Sequence, residues 1–378
     1  YGTAGNNNIP ADQTSPVWSS GSTTWLNQFP SYWTSGIASG QSGSYASNPD
    51  LKWEKSDQTN IGLDLSLFND RVTVGMDYFI KNTKDLLYDR PLHTTTGFSS
   101  ITQNIGSMRN TGFEFNVESH NIMNDRFSWD TQFNISTIKN KLTSLIDEKP
   151  IQVGQPIGSF YMYKMDGIYQ DNQEVPEKLY AKGVRAGDIK YADKDNDGDL
   201  TPADKEIVGK PLPDFFGGLT NRFRYGNFDL TIFNTFSVGN DVYATGMGGI
   251  DAVGHNNYGM RKDIAANRWT GPGTNNSIPR AMISTHNTQA STYRLHDGSY
   301  FKFKDVTLGY TLPSNLTQKL NISNMRVYLS AQNLWTISSY PGYDPEVSYS
   351  VNNSKTMGED AMTVPQLRTF VCGFNLTF

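Results

Sequence analysis

The sequence predicts an all-β protein, a transmembrane antiparallel β-barrel with long extracellular loops, and three observations carry that prediction. Apolar and polar residues alternate with a period of two in many short runs, the final run is rich in phenylalanine, and short links alternate with long ones. In the final run Phe370, Cys372, Phe374, Leu376 and Phe378 are separated by Val371, Gly373, Asn375 and Thr377. A strand sends successive side chains to opposite faces, so this segment has one continuous apolar side, ending on an aromatic ring.

The same pattern recurs along the chain. Ile61, Leu63, Leu65 and Leu67 face away from Gly62, Asp64 and Ser66, and Phe68 to Arg71 form a tight turn. Val72, Val74, Met76, Tyr78 and Ile80 then alternate with smaller or polar residues, with Phe79 the exception, and complete a hairpin. A second hairpin places Phe113, Phe115 and Val117 before a turn at 121–125, and Phe127, Trp129, Phe133 and Ile135 after it. In a third, Leu219, Phe223 and Tyr225 run into Gly226-Asn227, and Phe228, Leu230 and Ile232 resume the alternation. Val306, Leu308, Tyr310 and Leu312 form a further strand, Met325, Val327, Leu329 and Ala331 another, and the terminal strand brings the number to about nine, plus a stub at 1–3.

The links decide between a barrel and a soluble sandwich. Short links near 69, 123, 226 and 318 alternate with long polar ones, at 4–57, 83–105, 140–215, 240–299 and 336–365. Outer-membrane barrels pair short periplasmic turns with long extracellular loops, whereas a soluble sandwich seldom carries structureless loops of this length. With Phe378 at the periplasmic rim, parity puts every short link on that side and every long link outside. Aromatics near strand ends, such as Trp335 and Tyr340, suit an interfacial girdle or a packed core. The loop aromatics Trp18, Trp25, Tyr32, Trp33, Tyr340, Tyr343 and Tyr349 could stack on sugars, grip peptide or protein surfaces, or simply pack the loops, so substrate-binding residues stay unassigned.

Composition narrows the function. Lys and Arg total 32 against 37 Asp and Glu, with no long basic run, which argues against nucleic-acid binding. Mean hydropathy is negative and no run approaches the roughly 20 apolar residues of a membrane helix, a condition that a β-barrel also meets. Cys372 is the sole cysteine, in phase with the apolar face, so an intrachain disulfide is impossible. The histidines at 93, 120, 255, 286 and 296 are scattered, and no nucleophile elbow, phosphate loop or zinc-protease motif occurs, so no catalytic residue is expected.

The most specific local motif is Asp193-Lys194-Asp195-Asn196-Asp197-Gly198-Asp199-Leu200, with carboxylates at loop positions 1, 3 and 5, glycine at 6 and an apolar residue at 8. Ca²⁺ takes about six to eight oxygens, and Asp193, Asp195, Asp197, the Asp199 carbonyl, Thr201 and Asp204 could supply them. Asp204 stands where an EF-hand has a bidentate glutamate, which predicts modest affinity. Gly183, Gly187 and the β-rich Ile189-Lys190-Tyr191 precede the loop in place of a helical pattern, so it is closer to a dockerin-like loop. Aspartates this close repel one another without a cation, and the expected role of the ion is to pin an extracellular loop.

Asn48-Pro49-Asp50-Leu51-Lys52-Trp53-Glu54 followed by Asn60-Ile61-Gly62-Leu63-Asp64 resembles a stretch of the SusC/RagA-type TonB-dependent transporters. Gly187-Asp188-Ile189-Lys190-Tyr191, Gly209-Lys210-Pro211-Leu212-Pro213, Asn110-Thr111-Gly112-Phe113-Glu114, Asn333-Leu334-Trp335 and Gly342-Tyr343-Asp344-Pro345-Glu346 are similar to the same family, in consistent order. The resemblance covers nearly the whole of residues 1–378 and matches the C-terminal part of such a transporter; its signal, plug, TonB box and earlier strands have no counterpart here. It implies the last ~10 strands of a barrel of about 22, in the outer membrane. It also implies import of oligosaccharides or peptides, a SusD-like lipoprotein over the extracellular side, and energy from the TonB complex acting through the N-terminal part. On the residues alone, a passive porin or adhesin barrel and a soluble carbohydrate-binding β-protein remain alternatives.

Overall fold

The computed structural model describes residues 2–6, 17–19, 42–46, 48–96, 98, 100–145, 152–247, 260–282, 286–317, 322–346 and 356–377. Trp25, Tyr32, Trp33, Tyr349 and Phe378 lie outside the described residues. The first strands are β1 (Gly2–Asn6), β2 (Val17–Ser19), β3 (Ser42–Ala46), β4 (Glu54–Leu67), β5 (Val72–Pro91), β6 (Ser100–Met123) and β7 (Phe127–Leu145). Short strands β8 (Phe160–Met162), β9 (Met165–Ile168), β10 (Ile189–Tyr191) and β11 (Glu206–Gly209) occupy the next long link. They are followed by β12 (Phe215–Tyr225), β13 (Phe228–Val238), β14 (Asp241–Tyr243), β15 (Leu295–Asp297), β16 (Tyr300–Thr311), β17 (Asn324–Ser338) and β18 (Thr369–Thr377). The main sheet has the order β1-β4-β5-β6-β7-β12-β13-β16-β17-β18, a meander, with β2 and β3 off this path. β9 with β10, β8 with β11 and β14 with β15 form separate two-stranded sheets.

The chain divides into two compact units. The first comprises Tyr1–Ile61, Phe79–Thr111 and Asn140–Gln155. Here β5 continues to Pro91 and β6 begins at Ser100, which corrects the long link expected at 83–105: most of it is strand. Side chains sustain the ladder. Asn104 Nδ2 donates to the carbonyls of Lys52 at 2.8 Å and Asp85 at 2.7 Å, Thr102 Oγ1 donates to Asp89 at 2.6 Å, and Glu54 accepts from the Leu87 amide. A polar sequence without clean alternation can therefore extend a hairpin when its side chains bridge to neighbouring backbone.

The second unit comprises Gly62–Tyr78, Gly112–Lys139 and Pro156–Phe378. One cross-strand row on its wall reads Trp129, Phe223, Leu230, Leu308, Leu329 and Cys372. The row one residue displaced reads Asp130, Arg222, Thr231, Thr307, Ser330 and Val371. Register is thus fixed by patterning, because a slip of one residue would exchange the two faces completely. On the apolar face the rings and chains stay uncovered: Leu329 is 53% exposed, Phe370 64% and Phe374 65%. A soluble sandwich would bury such a face, so this one matches a lipid-facing surface.

Rings mark both borders of the band. Phe127, Tyr225, Phe228 and Tyr310 are cross-strand neighbours at the short turns, with Phe228 and Tyr310 centroids 4.7 Å apart. At the far border Phe303 stacks on Trp335 at 6.0 Å, and Trp335 is 60% exposed, as an interfacial girdle requires. Tyr340 takes the packing role instead. It is buried, and its hydroxyl donates to Asp360 at 2.7 Å, so it is a core residue of the loops. On the polar face Arg326 reaches across β16 to Asp229, Nε to Oδ1 at 2.8 Å, and passes over Gly309. A Cβ there would lie 2.3 Å from the Arg326 guanidinium, so a side chain at 309 would displace the ion pair from this position.

Candidate functional site

Antiparallel connectivity sends the long links β7 to β12, β13 to β16 and β17 to β18 off the same edge of the wall. Among the described residues, they carry most of the buried apolar side chains. Tyr169, Val175, Leu179 and Val184 form one cluster, and Tyr163, Ile189 and Tyr191 another. Leu200, at position 8 of the aspartate loop, packs against both. A third cluster joins Phe160, Met162 and Tyr243, and a fourth joins Val242, Ala244, Met247 and Tyr340. The described parts of these links are folded structure, with apolar interiors of their own.

The aspartate loop lies between β10 and a 3₁₀ turn, Pro202–Asp204, so it has no helix directly before it, as the sequence indicates. Of the six expected ligands, the fold brings the carboxylates of Asp193, Asp195 and Asp197 within 4.8 Å of one another. Asp193 is held by the amides of Asp197 at 3.2 Å and Gly198 at 2.8 Å, and Asn196 and Gly198 take positive φ to tighten the turn. The Asp199 carboxylate turns away to Lys182, leaving its carbonyl for the role assigned to it. Thr201 and Asp204 form a capping box: Thr201 Oγ1 accepts from Ala203, and Asp204 Oδ2 accepts from the Thr201 amide at 2.7 Å. Asp204 Oδ1 also accepts from the Lys194 amide at 2.9 Å and Oδ2 from the Thr201 hydroxyl at 3.5 Å, so this buried carboxylate is held by the loop's own donors.

The potential here is negative. Desolvation within the loop, and then the neighbouring Asp197, Asp204 and Asp193 carboxylates, push the Asp195 carboxyl above its ordinary range. Burial, and secondarily Asp193, push the Tyr169 phenol up to about 12.

Two further polar centres were invisible in composition and spacing. Asp188 is completely buried and accepts from Arg280 Nε at 2.9 Å, Arg280 Nη2 at 3.0 Å, Asn287 Nδ2 at 2.9 Å and the Arg185 amide at 2.8 Å. Lys302, 1% exposed, donates to both Asp344 oxygens at 2.9 and 3.0 Å and to Glu346 at 2.7 Å. Lys304 completes that group on Glu346 at 2.6 Å and Gln366 at 3.1 Å. Asp188 and Asp344 both lie in stretches that carry the family resemblance, the one signal that could have singled them out. Among the loop aromatics, Tyr343 is 67% exposed and open to a ligand.

The description "TonB dependent receptor-like, beta-barrel" matches residues 10–334. The chain belongs to this family. The chain is 36% identical over 354 residues to TonB-dependent receptor P3 of Formosa agariphila, covering 88% of this chain and 35% of that protein. It is 30% identical over 364 residues to TonB-dependent receptor SusC of Bacteroides thetaiotaomicron, covering 88% of this chain and 33% of that protein. The chain therefore spans about a third of the length of these relatives. A solved structure of the RagAB peptide transporter shares its fold, with a TM-score of 0.79 and 24% identity over 100% of this chain and 40% of that one. These relatives place the wall in the outer membrane, and they are receptors rather than enzymes.

Proposed function

We propose that this TonB-dependent receptor chain is the C-terminal wall and outer loop layer of a SusC/RagA-type nutrient importer. It would take up oligosaccharides or peptides together with a SusD-like surface lipoprotein, with TonB supplying energy through parts of the protein outside this chain. The observation that carries this reading is the pairing of a two-faced wall with a folded loop layer in a chain 30% identical to a SusC. A surface lipoprotein meets folded loops more readily than mobile ones, because less ordering entropy is lost on contact. Purification of the full-length protein from outer membranes in mild detergent is expected to recover a lipoprotein partner, and deletion of the gene to abolish growth on its oligosaccharide or peptide. A barrel that purifies alone and conducts small solutes passively would establish the porin reading instead.

We further propose that Asp193, Asp195 and Asp197, with the Asp199 carbonyl, bind Ca²⁺ and hold the aspartate loop closed. Support comes from the three convergent carboxylates and from Leu200, which transmits the loop's shape to two apolar clusters. Replacing Asp193 and Asp195 with alanine is expected to speed proteolysis within 160–214 several-fold and to match the effect of chelator on the unaltered protein, with the barrel still assembled. Protons compete for the same oxygens, so affinity should fall as pH falls through the raised Asp195 range. Elemental analysis that finds no divalent ion after equilibration in millimolar calcium would reduce the loop to a solvated acidic turn.

A further inference from the structure

The link from β7 to β12 and the link from β13 to β16 are joined by a zipper of hydrogen bonds between residues about a hundred positions apart. Ile168 N donates to Asn276 at 2.9 Å, Gln170 Nε2 to the Asn275 carbonyl at 3.1 Å, and Trp269 Nε1 to Gln170 at 3.1 Å. Arg280 N donates to the Gly187 carbonyl at 2.8 Å, Ile189 N to Asn287 at 2.9 Å, and Tyr191 to the His286 carbonyl at 2.9 Å. His286 Nε2 donates to the Ile189 carbonyl at 2.8 Å, and burial lowers the pKa of the ring. Asp188 sits at the centre of the zipper and, among the described residues, is the one carboxylate bonded across it. Two of its four donors come from Arg280 and one from Asn287, all on the second link.

We infer that residues 168–191 open and close as one cooperative body with residues 269–282, His286 and Asn287, with Asp188 as the positioning residue that couples them. The chemistry favours this over two independently stable loops. A fully desolvated carboxylate is tolerable only while its donors stay in place, so movement of the second link exposes an unpaired buried charge on the first. The converse also holds, since the Arg280 guanidinium is largely withdrawn from water and has Asp188 as its carboxylate partner. Close packing at Gly187 reinforces the joint: its φ is +89°, and a Cβ there would lie 2.5 Å from the Trp269 ring. A ligand or protein that touches either link from outside therefore acts on both, and the coupling needs neither the cation nor the importer reading.

Hydrogen exchange on the full-length protein in detergent, resolved by peptide, tests the coupling. Asp188→Asn, a change in the first link, is expected to speed exchange at least about tenfold in peptides spanning 269–282, on the second. Arg280→Met should do the reciprocal in peptides spanning 168–191. Asn287→Ala removes two of the bonds and should give the same pattern at smaller amplitude, which covers the case in which Asp188→Asn fails to assemble. Heat-dependent gel mobility reports that the barrel itself is intact. Exchange that rises only in the link carrying the substitution, with the other unchanged, would overturn the inference.

Discussion

Replacing Lys302 with methionine is expected to destabilise the protein by about 3–5 kcal/mol, among the largest effects of any single substitution in this chain. The ammonium is 1% exposed and neutralises Asp344, itself buried, while sharing Glu346 with Lys304. Truncation leaves the Asp344 carboxylate without a counter-charge in a site that water cannot readily enter, and that residual charge dominates the loss. Removing both partners, as in Lys302→Met with Asp344→Leu, should recover most of it, since Glu346 keeps Lys304. Denaturant titration of the detergent-solubilised protein, followed by the mobility of the folded band, measures both variants. A single variant that loses less than about 1 kcal/mol would mean that the pair is solvated and structurally dispensable.

Leu329→Arg is expected to cost about 2–4 kcal/mol of folding free energy in lipid vesicles, because Leu329 lies mid-strand in the apolar row. Gln332→Arg, three residues on and on the polar face, should stay within about 0.5 kcal/mol. The contrast isolates the face from the strand, since both positions share β17 and differ only in which solvent their side chains meet. Membrane-impermeant thiol reagents should correspondingly fail to label cysteines placed at 370, 374 and 376 in intact membranes. If Leu329→Arg folds as well as Gln332→Arg, the exposed apolar face does not lie in hydrocarbon.

The wall was legible because lipid and lumen impose opposite demands on alternate residues. The rows through Leu329 and Ser330 are therefore written directly into the sequence. The outer reach of β5 and β6 was not, because Asn104 and Thr102 extend the ladder by side-chain bonds that leave no periodic trace. The aspartate loop was readable for the opposite reason, its groups being contiguous and its geometry local. Asp188 and Arg280 are 92 positions apart, and no pattern in either segment names the other. Tyr340 shows the same limit: an aromatic at a strand end suits a girdle or a core equally well, and Asp360 decides.

Among the described residues, the apolar clusters lie in the links between strands, while the apolar side of the wall has no protein partner across it. One polypeptide is thus kept folded by two different solvents. Its wall is sustained by hydrocarbon chains supplied by the bilayer, and its loop layer by expulsion of water from interiors of its own making. A change of lipid or detergent acts on the first and leaves the second largely untouched, whereas urea, salt or temperature acts on the second through the hydration of its clusters. The loop layer can accordingly vary in sequence and shape as a water-soluble domain does, on a wall whose outer face answers to the membrane.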